Sequence, residues 1–228
     1  MTSSVVVGGT GGLGREVAQR FADRGDAVII TGRDRARADA IAAEIGGDTQ
    51  ALAVDLRSPK TIADAFGDVT AVDNLVITAI QQHAINIADF DIQAAIDVVT
   101  VKLVGYIETV RVLSDRFRPQ ASAVLFGGLA NVLPYPGSTM VTTFNSGVGG
   151  VARTLAREIA PYRVNVVHPG VVGDSPKWRD MPNHPHVPRT PIGRLVTMAE
   201  IVDATEFLLR NSGVNAHELF VDGGVRIS

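Results

Sequence analysis

A glycine-rich turn near the N-terminus constrains the fold of this chain more than any other feature. The heptapeptide GGTGGLG, residues 8–14, separates a short apolar run from a segment whose apolar residues recur at helical spacing. A strand, such a turn and a helix in this order start a parallel α/β unit. The helix N-terminus offers unpaired N–H groups and a positive dipole end to a pyrophosphate. We therefore expect a dinucleotide site here, against the alternative of a glycine-rich turn without a ligand.

The rest of the chain repeats this order of strand and helix. Apolar runs predict strands at Ser4–Gly8, Ala27–Thr31, Gln50–Val54, Asn74–Ala79, Ser122–Phe126, Arg163–Val167 and Glu218–Val221. Helical spacing predicts helices at Gly12–Arg24, Asp34–Ile45, Asp91–Arg118, Ser138–Ile159 and Ala199–Leu209. The alternation predicts one doubly wound α/β (Rossmann) domain over residues 1–228. Its sheet should be mostly parallel and seven-stranded, with helices on both faces.

The proline-rich stretch Gly173–Gly193 interrupts this alternation. Its prolines are Pro176, Pro182, Pro185, Pro188 and Pro191. An irregular connection of this length usually has a function, so we expect a substrate loop or lid. His184 and His186 are two residues apart there, but without a third ligand beside them we predict no metal site.

Composition excludes several classes of function. The formal net charge of −3 gives no electrostatic reason to expect a nucleic acid or an anionic membrane as partner. The chain has no cysteine, and therefore no disulfide, thiolate nucleophile or thiolate metal site. It has no basic N-terminal region typical of a signal peptide and no run near the roughly 20 apolar residues of a membrane span. The expected location is the cytoplasm.

The end of the second predicted strand bears on the choice of dinucleotide. A site for NAD usually has a carboxylate about 20 residues after the glycine-rich turn. Here Gly32 occupies that position, followed by Arg33 and Asp34. Arg33 suits a 2′-phosphate, whereas Asp34 is better explained as the N-cap of the next helix. The sequence therefore favours NADP(H) over NAD(H).

Four segments together resemble the short-chain dehydrogenase/reductase family. They are the glycine-rich turn, Asp55 after the third strand, the tripeptide HPG at 168–170, and FVDGG at 220–224. The resemblance implies that Asp55 receives the adenine amino group with Leu56 beside the ring, and that Pro169, Gly170 and Val172 flank the nicotinamide. The full set of implied cofactor-binding residues is Gly8, Thr10, Gly11, Gly12, Leu13, Gly14, Arg33, Asp55, Leu56, Thr78, Ala79, Asn145, Pro169, Gly170 and Val172. The resemblance also implies a small-molecule substrate and a homodimer or homotetramer built on the two long helices.

The catalytic residues of that family are replaced in this chain. Alignment of the flanking sequence puts Gly128 at the position of the family's serine, Val141 at that of its tyrosine and Asn145 at that of its lysine. Lys102 falls at the position of the asparagine on the preceding helix. Because valine can neither donate nor accept a proton, general acid catalysis worth roughly 10²–10⁴-fold is missing there.

Two residues are candidates to supply the missing proton. Lys102 stands in an apolar helical segment, where burial would lower its pKa toward neutrality. The alternative is that its side chain extends to the surface. Tyr135, in the loop that leaves the fifth strand, would bring a hydroxyl from another direction, although the sequence favours a tyrosine at the rim or packed there.

Three functions are compatible with these residues. The first is an NADP(H)-linked oxidoreductase that acts on a small carbonyl or unsaturated substrate with a non-standard proton donor. The second is a non-redox enzyme, such as a cyclase or isomerase, on the same fold. The third is a catalytically silent NADP(H)-binding module.

Overall fold

The structure, a computed structural model, describes residues 1–81, 85–181 and 183–227. Pro182 of the proline-rich stretch lies outside the described residues. Seven strands form one sheet: β1 (Ser3–Val7), β2 (Ala27–Gly32), β3 (Asp48–Ala53), β4 (Val72–Ile77), β5 (Phe117–Phe126), β6 (Arg163–Pro169) and β7 (Glu218–Val221). Their order is β3-β2-β1-β4-β5-β6-β7, and every neighbouring pair is parallel. The predicted doubly wound α/β fold is confirmed.

Helices cover both faces of the sheet. They are α1 (Gly12–Asp23), α2 (Arg35–Ile45), α3 (Ile62–Ala65), α4 (Ile92–Val99), α5 (Gly105–Ser114), α6 (Thr139–Glu158) and α7 (Met198–Arg210). Each face has its own apolar core: Phe21 and Ile201 are buried on one side, and Phe66 and Leu113 on the other. Successive strands are added on one side of β1 up to β3, and on its other side from β4 onward. At this switch in strand order a crevice opens at the carboxyl ends of β1 and β4, where ligands bind in folds of this type.

The predicted helix Asp91–Arg118 is wrong at its C-terminal end and incomplete in its centre. The helix ends at Ser114, because Phe117 is already in β5, where it pairs with Val72 and packs edge-on against the ring of Tyr162 at 5.2 Å. In the centre, residues Thr100–Val104 form a π-helical turn between α4 and α5. Apolar spacing alone does not reveal such a turn.

The short helix α3 was not predicted. It follows a 3₁₀ turn at Pro59–Thr61 and buries Ile62 completely, with Phe66 directly after it. With only four residues, α3 is too short to show a helical period in the sequence. Among the described residues, no helix is long and apolar enough to cross a membrane.

Candidate functional site

The glycine-rich turn has the close packing that its sequence predicts. Gly8 has a φ of +88°, in the left-handed region that favours glycine. A Cβ at Gly14 would lie 2.3 Å from the carbonyl oxygen of Gly8, so a larger residue would push helix α1 away from the turn. A Cβ at Gly12 would meet nothing within 4 Å, so the backbone there faces open space. The turn is therefore tight toward the protein and accessible toward the crevice.

Thr78 fixes the turn from the neighbouring strand. Its Oγ1 donates to the carbonyl oxygens of Val7 and Gly8, at 3.2 and 3.3 Å, and its backbone N–H donates to Val7. Thr78 and Ala79 follow β4 directly, beside the carboxyl end of β1. The site residues predicted after the first and fourth strands thus lie together.

Thr10 fills the space beside Gly32. A Cβ at Gly32 would lie 2.5 Å from Cγ2 of Thr10. The position where a carboxylate would select NAD is therefore occupied by the threonine side chain. The next residue, Arg33, is exposed and lines the crevice.

Asp34 caps helix α2, as predicted. Its carboxylate accepts a hydrogen bond from the backbone N–H of Arg37 at 2.8 Å. This cap places the Arg37 side chain near the turn, where Nη2 lies 3.9 Å from a Cβ built on Gly11. Sequence reasoning missed Arg37. Arg37 is three residues after the predicted N-cap Asp34, so the sequence already placed it in the first turn of the helix, close to the predicted dinucleotide site.

Asp55 is paired with an arginine that the sequence reasoning also missed. Arg57 Nη2 lies 2.6 Å from Oδ2 of Asp55, and Arg57 Nε lies 3.0 Å from each carboxylate oxygen. Hydrogen bonding to Arg57 holds the pKa of Asp55 below its usual value. The carboxylate remains an acceptor in the crevice, but it shares its oxygens with Arg57.

One crevice of about 1370 Å³ collects all the predicted site residues. It extends from the glycine-rich turn and Arg33, past Asp55, to Lys102, Gly128 and Tyr135. A crevice of this size holds more than one drug-sized ligand, as a dinucleotide together with a substrate requires.

Gly128 and Asn145 lie against each other in the middle of the crevice. A Cβ at Gly128 would be 2.8 Å from Nδ2 of Asn145. Asn145 is 3% exposed, and its Oδ1 has no hydrogen-bond partner among the described residues. A buried acceptor of this kind is costly unless a ligand satisfies it. Val141, one turn earlier on α6, also lines the crevice.

Lys102 lies in the π-helical turn and points into the protein, not to the surface. Its side chain is 2% exposed, which excludes the surface alternative. Nζ donates to the hydroxyl of Tyr106 at 3.0 Å, and that hydroxyl donates to the carbonyl oxygen of Ala79 at 2.8 Å. Burial lowers the pKa of Lys102 from 10.5 to about 7. A π-helical turn with a buried lysine is a feature often found at functional sites.

His168 forms a hydrogen bond with the backbone of Gly128. The backbone N–H of Gly128 donates to Nδ1 of His168 at 3.0 Å, and Nε2 contacts Glu218 at 3.0 Å. Burial lowers the pKa of His168, and the hydrogen bond to Glu218 opposes this effect. The charge on Lys102 also lowers the pKa of His168, so the two side chains are within electrostatic reach of each other. The ring stacks on Phe220 with 4.6 Å between centroids.

The proline-rich stretch forms one wall of the crevice. Trp178 packs edge-on against the buried His184 at 4.6 Å, and the backbone N–H of His186 donates to His184 Nδ1. Tyr135, on the opposite loop, is 57% exposed at the rim. In the part of the chain that the structure describes, no three His, Asp or Glu side chains are grouped as in a metal site.

The geometry fits a bound dinucleotide. The open backbone at Gly12 suits a pyrophosphate, the exposed Arg33 on the crevice suits a negatively charged group, and the unsatisfied Oδ1 of Asn145 suits a ribose hydroxyl.

Comparisons with known proteins agree with this fold and crevice. The family model described as enoyl-(acyl carrier protein) reductase matches residues 8–226. The 3-oxoacyl-[acyl-carrier-protein] reductase of Bos taurus is 27% identical over 98% of this chain and 97% of its own length. Carbonyl reductase family member 4 of Xenopus tropicalis is 30% identical over 97% of each chain.

A solved structure of a short chain dehydrogenase/reductase family protein superimposes with a TM-score of 0.88. It is 28% identical, and the match covers 100% of this chain and 98% of the other. The fold, the crevice at the carboxyl ends of the strands and these similarities lead to one conclusion. The chain belongs to the short-chain dehydrogenase/reductase family of oxidoreductases, whose members bind a nicotinamide cofactor.

Proposed function

We propose that this chain is an NADP(H)-linked oxidoreductase that reduces a small carbonyl or unsaturated substrate, with Lys102 as its proton donor. The observation that carries the proposal is the buried Lys102 on the crevice, with a pKa of about 7. The names of the relatives, a 3-oxoacyl-[acyl-carrier-protein] reductase and a carbonyl reductase, favour a carbonyl over an unsaturated substrate.

The absence of a usable side chain at the family's own catalytic positions supports a substitute donor. Gly128 and Val141 have no polar side-chain atom, and Asn145 has no charge. In this proposal Asn145 holds the ribose through its amide, and Gly128, without a side chain, lets that amide lie against its backbone. The proton must then come from another group on the crevice.

Lys102 suits that task on two grounds. A general acid works best when its pKa lies near the working pH, and a pKa of about 7 keeps a substantial charged fraction at neutrality. The Tyr106 hydroxyl, fixed by its own bond to Ala79, holds Nζ in place. The charged amine donates a proton to the oxygen atom that develops negative charge, and the reduced nicotinamide, when bound, supplies the hydride.

The preference for NADP(H) in this proposal comes from the adenosine end. Arg33 and Arg37 both line the crevice beside the glycine-rich turn, and Thr10 fills the place of an NAD-selecting carboxylate. Two guanidinium groups next to the adenosine ribose would bind a 2′-phosphate through charge-assisted hydrogen bonds.

The proline-rich stretch is proposed to be the substrate loop. Trp178 and Met181 give the crevice an aromatic and apolar patch beside the polar His186 and Arg189, and Tyr135 lines the rim. Such a patch would exclude water from the reacting carbonyl. Tyr135 is the second candidate donor, although its exposure makes it a poorer one than Lys102.

A homodimer or homotetramer is proposed on the helix formed by α4, the π-helical turn and α5. Four large apolar side chains along it are exposed: Ile92, Ile96, Val104 and Ile107, at 67, 52, 48 and 41%. A second copy that covers this surface would remove them from water. Ile96→Lys should lower the mass measured by light scattering, while Ile192→Lys, at an exposed position off this helix, should not.

The test of the function compares Lys102→Met with Tyr135→Phe and with the control Lys60→Met, an exposed lysine off the crevice. NADPH binding is measured by fluorescence and turnover by NADPH absorbance with a panel of carbonyl compounds. We expect Lys102→Met to keep NADPH affinity and to lose roughly 10²-fold or more in turnover, with the control unchanged. Unchanged turnover in Lys102→Met would rule out the role of Lys102.

The other two functions predict different outcomes of the same assay. Formation of product without consumption of NADPH would favour a non-redox cyclase or isomerase. NADPH binding with no conversion of any substrate would favour a silent binding module. All three predict binding, so the turnover measurement decides between them.

A further inference from the structure

Lysine is rare in this chain, and one of its few lysines is buried. Of the 21 lysine and arginine residues, only Lys60, Lys102 and Lys177 are lysines, and the other 18 are arginines. Lys60 and Lys177 are exposed, whereas Lys102 is 2% exposed on the wall of the crevice. An arginine cannot become neutral in a protein, whereas a buried lysine can. Lys177 also lines the crevice, but of the three lysines only Lys102 is buried there, where its amine can become neutral.

The hydrogen bonds around Nζ leave its lone pair available. Tyr106 Oη donates its only proton to the carbonyl oxygen of Ala79, at 2.8 Å, so it acts as an acceptor toward Lys102 Nζ at 3.0 Å. A neutral amine has two protons and a lone pair. One proton of the Lys102 amine is donated to Tyr106, and the nitrogen lone pair accepts no hydrogen bond from that hydroxyl.

The surroundings of Nζ favour its neutral form. Burial lowers the pKa of Lys102, and within the described ranges no carboxylate forms an ion pair with it. The rings of Tyr106 and Phe144, 4.9 and 6.0 Å from Nζ, attract the charged form only weakly. The titratable groups that face it are Tyr106, whose pKa is raised by burial, and His168, whose pKa burial lowers. Neither of them is an anion near neutral pH, so neither stabilises the charged form of the amine. A desolvated lysine of this kind is an activated nucleophile.

We propose that Lys102 is a nucleophilic amine that forms an imine with a small aldehyde or ketone bound in the crevice. The lone pair of Nζ forms a bond to the carbonyl carbon, and one of the two protons on the nitrogen passes to the carbonyl oxygen to give a carbinolamine. The C–O bond then breaks as the hydroxyl group takes up a proton and leaves as water, the nitrogen loses its second proton, and a C=N bond remains. The reaction needs no oxidant or reductant. It rests on the proposed function only in placing a substrate carbonyl beside Lys102.

The experiment is reductive trapping on the wild-type protein without any nicotinamide cofactor. Acetaldehyde and sodium cyanoborohydride are added at neutral pH; the borohydride transfers hydride to the imine carbon and leaves a stable N-ethyl group on the lysine. Peptide mass spectrometry then compares the three lysines. We expect Lys102 to be labelled at least about tenfold faster than Lys60 and Lys177, the exposed lysines that serve as internal controls, because burial of Lys102 favours its neutral amine at that pH.

The pH dependence adds a second readout. Labelling of Lys102 should rise with pH up to about 7 and then level off, because most of its amine is then neutral. Labelling of Lys102 at or below the rate of Lys60 would overturn the proposal. So would equal labelling of all three lysines at every pH.

The outcomes also separate this inference from the proposed function. No adduct on Lys102, together with lost NADPH turnover in Lys102→Met, would refute the imine and leave the proton donor in place. Fast labelling of Lys102 in a protein that never consumes NADPH would support the imine and refute the proposed reductase.

Discussion

Nε2 of the buried His168 lies 3.0 Å from Oε2 of Glu218, at the edge of the sheet beneath the crevice. Because the backbone N–H of Gly128 donates to Nδ1, the proton of the neutral ring is on Nε2 and is donated to the carboxylate. Arg153 pairs with the same carboxylate from the surface. The His168 ring therefore links a surface ion pair to the backbone of Gly128, which lines the crevice.

Because the His168 ring is fixed, a side chain at the neighbouring Gly127 should destabilise the fold. A Cβ at Gly127 would lie 2.3 Å from Cε1 and Nδ1 of His168. We expect Gly127→Ala to lower the free energy of unfolding by about 1–3 kcal/mol through overpacking, measured by chemical denaturation. His168→Ala alone should also be destabilising, since it leaves a cavity and an unpaired N–H at Gly128.

The double variant distinguishes this contact from two independent defects. With the ring removed, Gly127→Ala should cost at least about 1 kcal/mol less than in the wild type, because the added methyl group then enters the cavity. Additive effects of the two substitutions would contradict the steric explanation.

The strands and the glycine-rich turn were predictable because their signals are local. The apolar run that predicted the last strand, Glu218–Val221, coincides with β7, and the turn has the positive φ at Gly8 that its composition implies. The N-cap role of Asp34 was predictable for the same reason, since a cap and its helix are adjacent in sequence.

Features that depend on tertiary contacts were not predictable. The π-helical turn at Thr100–Val104 and the start of β5 at Phe117 are set by packing between distant segments, as the pairing of Phe117 with Val72 illustrates. The hydrogen bond of Lys102 to Tyr106 follows helical spacing, but the bond from Tyr106 to Ala79 joins residues far apart in sequence. The burial of Lys102 was a hypothesis from the sequence, and the fold was needed to decide between it and the surface alternative.

The two arginines beside the glycine-rich turn should determine affinity for the 2′-phosphate. We expect Arg33→Ala to weaken NADPH binding by about 10–100-fold, the cost of about 1.5–3 kcal/mol for a lost hydrogen bond to a charged group, and to leave NADH binding almost unchanged. Arg35→Ala is a matched control, because Arg35 is paired with Asp39 and does not line the crevice. Dissociation constants from fluorescence titration measure both. An equal loss of affinity for NADH and NADPH in Arg33→Ala would show that Arg33 does not bind the 2′-phosphate.

A carboxylate at position 32 should be accepted only when Thr10 is made smaller. Gly32→Asp alone places a Cβ 2.5 Å from Cγ2 of Thr10, so we expect weak binding of both cofactors and a loss of stability. Gly32→Asp with Thr10→Gly should restore the fold and shift the preference toward NADH, because the new carboxylate accepts from the 2′-hydroxyl and repels a 2′-phosphate. If Gly32→Asp alone is as stable as the wild type, Thr10 does not fill the space beside residue 32.

The buried amine of Lys102 should make stability depend on pH. Its pKa is about 7 in the folded protein and near 10.5 in the unfolded chain, so between these values the unfolded chain binds the extra proton. Stability of the wild type therefore rises with pH from about 7 to 10.5. Below pH 7 the charged amine is present in both states, and its burial weakens the fold by as much as ~5 kcal/mol, at about 1.4 kcal/mol per pKa unit.

Replacing this lysine by an apolar residue should remove that dependence. We expect Lys102→Met to be more stable than the wild type at pH 6, by a difference that shrinks steadily toward pH 10, in urea denaturation at both pH values. Lys60→Met, at an exposed position, should follow the wild type throughout. A constant difference between Lys102→Met and wild type from pH 6 to 10 would show that the amine titrates alike in both states. In that case Lys102 would not be a nucleophile near neutral pH, because it would remain charged there, and it would be a poorer general acid, because its pKa would lie far above the working pH.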